Sequence, residues 1–265
     1  MNLGIVADEI DRDFATAVRI GIPLGLRRYE IRNLVTGRAP LCEARELEEV
    51  ERIAQGEGVA ITALSPGLFK LTADAAGFRR EMAEVYPRAA EWARRWNLPG
   101  LIVFGFARGN EAAAEFFAEA AARAAADRLL LTVEPEPICR IGTARAAAEL
   151  IARTGSEALR INYDPGNVAW LQNRDPLEEF AGAAPYVANV HVKDMLPLAP
   201  GAHEPQWVPA GEGIIDYAAH FAALRRAAYS GPISLEPHMN GRPETIRRCV
   251  EAFEKTWSSL PEPNR

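Results

Sequence analysis

The 265-residue chain is 48% apolar, enough to bury a sizeable core. Its formal net charge of −6, with Lys and Arg scattered along the chain, argues against nucleic acid as a main partner, because phosphate backbones call for a positive surface; a small anionic substrate is still allowed. The start, Met1 to Glu9, lacks the basic opening and apolar run of a signal peptide, and no stretch approaches the roughly 18 apolar residues of a bilayer span, so a cytoplasmic protein without a membrane partner is expected. Cys42, Cys139 and Cys249 are odd in number and lack Cys-x-x-Cys spacing, which points to reduced thiols.

In chain order, short apolar runs alternate with longer amphipathic ones. Leu3 to Ala7 reads as a strand with a helix near Phe14 to Ile20. Arg28 to Arg32 follows with the helix Glu43 to Gly56, then Val59 to Leu64 with one helix over Phe78 to Trp96. Leu101 to Phe104 precedes the alanine-rich helix Glu111 to Arg128, and Leu129 to Glu134 precedes the helix Thr143 to Arg153. Leu159 to Asp164, Val187 to Val192 and Ile233 to Glu236 complete the strands, with helices near Pro176 to Ala183, Tyr217 to Ala228 and Arg242 to Trp257. The count is that of a single (β/α)₈ barrel, an α/β TIM barrel spanning residues 1–257, with a loosely ordered tail over 258–265. A doubly wound sheet competes, but the acidic Asp8-Glu9-Ile10-Asp11 stands where its Gly-rich phosphate turn would be.

In such a barrel the chemistry sits at the C-terminal ends of the strands. Asn189-Val190-His191-Val192-Lys193-Asp194 is a strand ending in polar groups, and Glu134, Asp164 and Glu236 close three other strands. Three carboxylates and one imidazole form a hard, mostly oxygen site, which suits Mn²⁺ or Mg²⁺ best and leaves Zn²⁺, Co²⁺ and Fe²⁺ open. The bland alternative is that strand-end carboxylates cap helices or pair with Arg and Lys, but four at one level outweigh it.

Glu134-Pro135-Glu136-Pro137, Asn162 to Asn167, His191 to Asp194, Gly211 to Tyr217 and Ser234-Leu235-Glu236-Pro237-His238 resemble, in order and spacing, the motifs of the xylose isomerase-like TIM-barrel superfamily. The chain is similar over nearly its full length to the sugar phosphate isomerase/epimerase branch, which includes ketose 3-epimerases, hydroxypyruvate isomerases and inosose dehydratases. The resemblance implies that Glu134, Asp164, His191 and Glu236 bind the metal and that Glu134 and Glu236 also move the proton. It implies isomerisation or epimerisation of a small keto-sugar or polyol derivative through a metal-stabilised enediolate. One departure is Asn167, which stands where many ketose epimerases carry a substrate-holding histidine. Asparagine can hydrogen-bond a hydroxyl but does not titrate near neutral pH.

Other candidates for substrate contact are Lys193, read as either solvated or swung over a substrate anion; His238 and Glu136, two residues beyond Glu236 and Glu134; Phe69, an apolar wall; and Lys70, an anion contact. Glu9 and Glu30 are read as binding sugar hydroxyls or pairing with Arg32 and its neighbours. The Pro- and Gly-rich segment Met195 to Gly213 reads as a lid, with Trp207 a stacking surface for a sugar ring or else a subunit contact, so a homo-oligomer is left open. The second functional reading is a metal-dependent lyase or dehydratase, inosose dehydratase-like or C-glycoside-cleaving. A non-catalytic sugar-binding subunit comes behind it. An abasic-site endonuclease shares the fold, but four histidines and a negative chain oppose a multi-zinc, DNA-facing site.

Overall fold

Gly100-Leu101-Ile102-Val103-Phe104 is buried at every position, as a parallel strand covered on both faces must be. It is β4 of eight parallel strands: β1 (Leu3–Val6), β2 (Arg28–Ile31), β3 (Ala60–Leu64), β4 (Gly100–Phe104), β5 (Leu130–Glu134), β6 (Leu159–Tyr163), β7 (Val187–Val192) and β8 (Ile233–Leu235). In the computed structural model, which describes residues 3–261, they pair in the order β3-β2-β1-β8-β7-β6-β5-β4. The result is a nearly closed (β/α)₈ barrel. β3 and β4 meet at the one seam without a ladder among the described residues, and there the Phe104 amide donates to the Leu68 carbonyl (3.0 Å).

Ten helices are described: α1 (Phe14–Gly21), α2 (Ala44–Glu57), α3 (Ala75–Glu84), α4 (Tyr86–Arg95), α5 (Ala113–Ala126), α6 (Ala144–Thr154), α7 (Pro165–Gln172), α8 (Leu177–Ala183), α9 (Tyr217–Arg226) and α10 (Pro243–Ser258). Side chains of Asp13, Asp74, Thr143, Asp164 and Asp216 cap α1, α3, α6, α7 and α9 by accepting the amide three residues on. The single helix expected over Phe78 to Trp96 is instead α3 and α4, broken at Val85. Pro87 lacks an N–H for a continuing helix and is accommodated in the first turn of a new one. Elements not expected include α7, directly after β6, and two antiparallel pairs, Asn33–Leu34 with Gly37–Arg38 after β2 and Asp194–Met195 with Trp207–Val208 after β7.

Part of the segment expected as a tail, residues 258–261, is described. α10 runs to Ser258, and Arg225 donates to the carbonyls of Trp257 (3.1 Å), Leu260 (3.3 Å) and Pro261 (3.0 Å). Residues 262–265 lie outside the described residues. Apolar side chains such as Leu131, Val133, Ile161, Val190 and Val192 are fully buried, while Glu30, Asn162, Asn189 and His191 are joined by hydrogen bonds within the barrel. The three cysteines are buried and unpaired, and burial pushes the Cys139 thiol up to about 12. No helix among the described residues is long and apolar enough to cross a membrane.

Candidate metal centre

Strand ends and the first residues after them bring Glu134, Asp164, His191 and Glu236 together, each offering a ligand atom within 4.8 Å of the others. All four are buried. Glu134 ends β5, and Asn167 Nδ2 donates to its Oε1 (3.1 Å) while Asn162 Nδ2 donates to its Oε2 (3.2 Å). Asp164 follows β6 and accepts the Asn167 amide at Oδ1 (3.0 Å), so it is ligand candidate and helix cap at once. Gly166 permits this close packing, since a Cβ there would lie 2.3 Å from Lys193 Cγ and 2.7 Å from its carbonyl oxygen.

His191 Nε2 lies 3.0 Å from both oxygens of the fully buried Glu30, which leaves Nδ1 facing Glu236 (3.2 Å), Glu134 (3.8 Å) and Asp164 (3.9 Å). Lys193 is also buried, with Nζ 2.8 Å from Asp164 Oδ2 and 2.6 Å from Glu236 Oε2. It lies two residues past His191 and so shares the inward face, in contrast to the solvated position allowed for it. Arg32 bonds Glu236 and reaches Glu9 (2.7 Å) and Asp8 (3.1 Å).

Burial alone would push these carboxyls up, and for Asp164 it does. Burial also opposes the charge of Glu134 and Glu236, but the His191 charge outweighs it at Glu134, and Lys193, His191 and His238 outweigh it at Glu236, which is held well below its ordinary value. Burial disfavours the His191 cation, yet Glu30, Glu236 and Glu134 raise its pKa well above the usual range. Three carboxylates and an imidazole nitrogen at these separations fit a hard or borderline divalent cation.

Other expected residues sort by position. His238 Nδ1 sits 3.1 Å from Glu9 Oε1, its amide donates to Glu9 Oε2 (2.8 Å), and its Nε2 is 3.4 Å from Lys193 Nζ. Trp207 returns to the centre because Trp207–Val208 pairs antiparallel with Asp194–Met195, placing its ring 5.3 Å from His238 and 5.7 Å from Lys193 Nζ. The Met195 to Gly213 segment is anchored by Asp194, which accepts the amides of Met195, Gly211, Gly213 and Ile215. Lys70 pairs with Glu136 (2.9 Å) on another side. Phe69 is not brought to the centre: it is fully buried and stacks on Phe106 at 4.6 Å. Arg32 was missed as a partner of Glu236, although its position two residues beyond Glu30 was a signal that both share a strand face. Glu9 and Glu30, read as hydroxyl binders or salt-bridge partners, are buried; Glu9 supports Arg32 and His238, and Glu30 supports His191.

The nearly closed parallel sheet with a carboxylate–histidine cluster at its C-terminal rim defines a TIM barrel with a candidate metal centre. Residues 25–256 match the family model for the xylose isomerase-like TIM barrel, and the chain belongs to that family. A 73-residue stretch is 40% identical to L-ribulose-5-phosphate 3-epimerase UlaE of Salmonella paratyphi C (strain RKS4594), covering 28% of this chain and only 24% of that protein. The fold is similar to IolI protein with a bound zinc atom (TM-score 0.79, 15% identity, 99% of this chain and 100% of that one). It is also similar to the probable 3-DHS dehydratase AsbF of Bacillus anthracis (TM-score 0.77, 17% identity, 96% and 99%).

Proposed function

We propose that the protein is a divalent-metal-dependent isomerase or epimerase of a small keto-sugar or polyol derivative. The observation that carries this reading is the convergence of Glu134 and Glu236, from different strands, on His191 Nδ1, at 3.8 and 3.2 Å. Glu134, Asp164, His191 and Glu236 would hold the ion, Mn²⁺ in preference to Mg²⁺, Co²⁺, Zn²⁺ or Fe²⁺, which when bound polarises a substrate carbonyl and its neighbouring hydroxyl. Glu134 and Glu236, from different strands, can take a carbon-bound proton on one side and return it on the other. Lys193 and Arg32 stabilise the carboxylate form of Glu236, the form a base requires. Asn167 fixes Glu134 through its amide, and Trp207, His238, Lys193, Lys70 and Glu136 are the proposed substrate contacts.

The test is proton NMR in D₂O with Mn²⁺-loaded protein and a panel of ketoses, keto-inositols and hydroxypyruvate. Metal-dependent deuterium at the carbon beside the carbonyl, with a new epimer or isomer, is the expected outcome. Glu134→Gln and Glu236→Gln should each lower exchange by at least 100-fold. Exchange undiminished in both variants would overturn the assignment of the two bases. A dehydratase or lyase is the second reading, supported by the Glu9–His238 pair beside Glu236 (3.7 Å), and loss of water or a carbon-linked group in the same spectra identifies it.

A further inference from the structure

Lys193 is held along its whole length. Its backbone is fixed by the buried Tyr217, whose hydroxyl accepts the Lys193 amide (3.0 Å) and donates to the Lys193 carbonyl (2.7 Å). Its stem lies against Gly166, in room that a Cβ there would fill. Its ammonium is buried between two carboxylates, 2.8 Å from Asp164 Oδ2 and 2.6 Å from Glu236 Oε2. Nζ also meets His238 Nε2 (3.4 Å) and the Trp207 ring (5.7 Å), neither of which carries negative charge. Asp164 and Glu236 are thus its carboxylate partners at ion-pair distance among the described residues.

The same two oxygens belong to the candidate metal centre. Asp164 Oδ1 is engaged by the Asn167 amide, so Oδ2 is the atom turned to the cluster. Glu236 Oε1 is engaged by Arg32, and Oε2 is the atom turned to His191. Asp164 Oδ2 is buried without an aligned hydrogen-bond donor among the described residues and is held by charge, from Lys193 and from His191 Nδ1 at 3.9 Å. Such an oxygen is a ready partner for a cation, and Lys193 is the cation beside it. An ammonium and a divalent ion that draw on one pair of oxygens repel each other, and each weakens the other's hold.

We propose that Lys193 is a built-in competitor of the divalent ion: its ammonium shares Asp164 Oδ2 and Glu236 Oε2 with the ion and sets the affinity of the centre below what the four ligands alone would give. The inference rests on the reading of Glu134, Asp164, His191 and Glu236 as a metal centre. It adds that loading is weak and exchangeable, and that the barrel is stable without the ion because the lysine supplies the counter-charge.

The test is titration with Mn²⁺ of wild type and of Lys193→Met, a side chain of similar length without charge, with free Mn²⁺ read by electron paramagnetic resonance. Lys193→Met should bind Mn²⁺ at least about tenfold more tightly, since a like charge has been removed from the ion's oxygens. In chelator the same variant should unfold at a lower temperature than wild type, because Asp164 and Glu236 are left buried without their counter-charge. Mn²⁺ should then raise its midpoint by more than it raises that of wild type. Lys193→Gln, which keeps a hydrogen-bond donor but no charge, should also bind more tightly and serves if the methionine variant does not fold. A lysine that merely holds the carboxylates in place gives the opposite sign: affinity unchanged or weaker in the folded variants overturns the proposal and leaves the metal centre standing. Absence of Mn²⁺ binding in wild type and variants alike overturns the centre and the proposal with it.

Discussion

Both Glu30 oxygens lie 3.0 Å from His191 Nε2, so the imidazole presents Nδ1 to Glu134, Asp164 and Glu236. A carboxylate behind a ligating histidine fixes its orientation and raises its basicity, and loss of such a partner costs about 10–100-fold in metal affinity. Glu30→Ala should therefore weaken Mn²⁺ or Zn²⁺ binding by about that factor in calorimetry, with the barrel intact by circular dichroism. Glu30→Gln, which can still accept from Nε2, should lose less. Unchanged affinity in both would remove Glu30 from the support of the centre. The four ligand candidates were legible because each sits at a strand end, where one barrel level gathers them. Glu30 was legible as a strand-end acid but not as the partner of His191, which is 161 residues away. That Lys193 is buried rather than solvated was not legible, for an energetic reason. Burying an ammonium is costly unless paired, and the pairing with Asp164 and Glu236 exists only once three strands are assembled.

At the scale of elements, the junction between β6 and α7 gives Asp164 two tasks that substitution can separate. Its Oδ1 caps α7 through the Asn167 amide, and its Oδ2 faces Lys193 and the cluster. Asp164→Asn retains a cap acceptor while losing the anionic ligand; Asp164→Ala loses both. Both variants should lose metal binding, but the alanine should be less stable than the asparagine by about 0.5–2 kcal/mol in urea unfolding, the usual value of an N-cap. Equal stabilities would mean that the cap contributes nothing here. The sequence carried the signal for α7, because Asp164-Pro165 is an N-cap followed by a proline at the first helical position. Asp164 was instead assigned to the strand before it, and the short α7 has no strong amphipathic pattern to contradict that. The α3/α4 break was legible in the same way at Pro87, but apolar periodicity on both sides concealed it.

For the whole molecule, the repeat of eight strand–helix units identified the barrel, yet nothing in a repeat says which neighbouring pair closes less completely. That is the junction of β3 and β4, where ladder pairing gives way to the Leu68–Phe104 hydrogen bond. Phe69, the next residue, adopts φ +71° and stacks on Phe106, with Phe117 edge-on at 5.9 Å and Phe78 at 5.8 Å. Its place after a strand made it read as a substrate wall, but the left-handed turn carries the ring into an apolar cluster behind the seam. Truncating a fully buried phenylalanine costs about 3–5 kcal/mol, a large part of the roughly 5–15 kcal/mol that holds a domain folded. Phe69→Ala should accordingly unfold at markedly lower urea, while its metal affinity, measured at low temperature where it remains folded, should match wild type. A variant as stable as wild type but impaired in sugar binding would return Phe69 to the substrate wall. The expected result places the aromatic cluster among the parts that hold the barrel shut, and leaves binding to the charged rim above it.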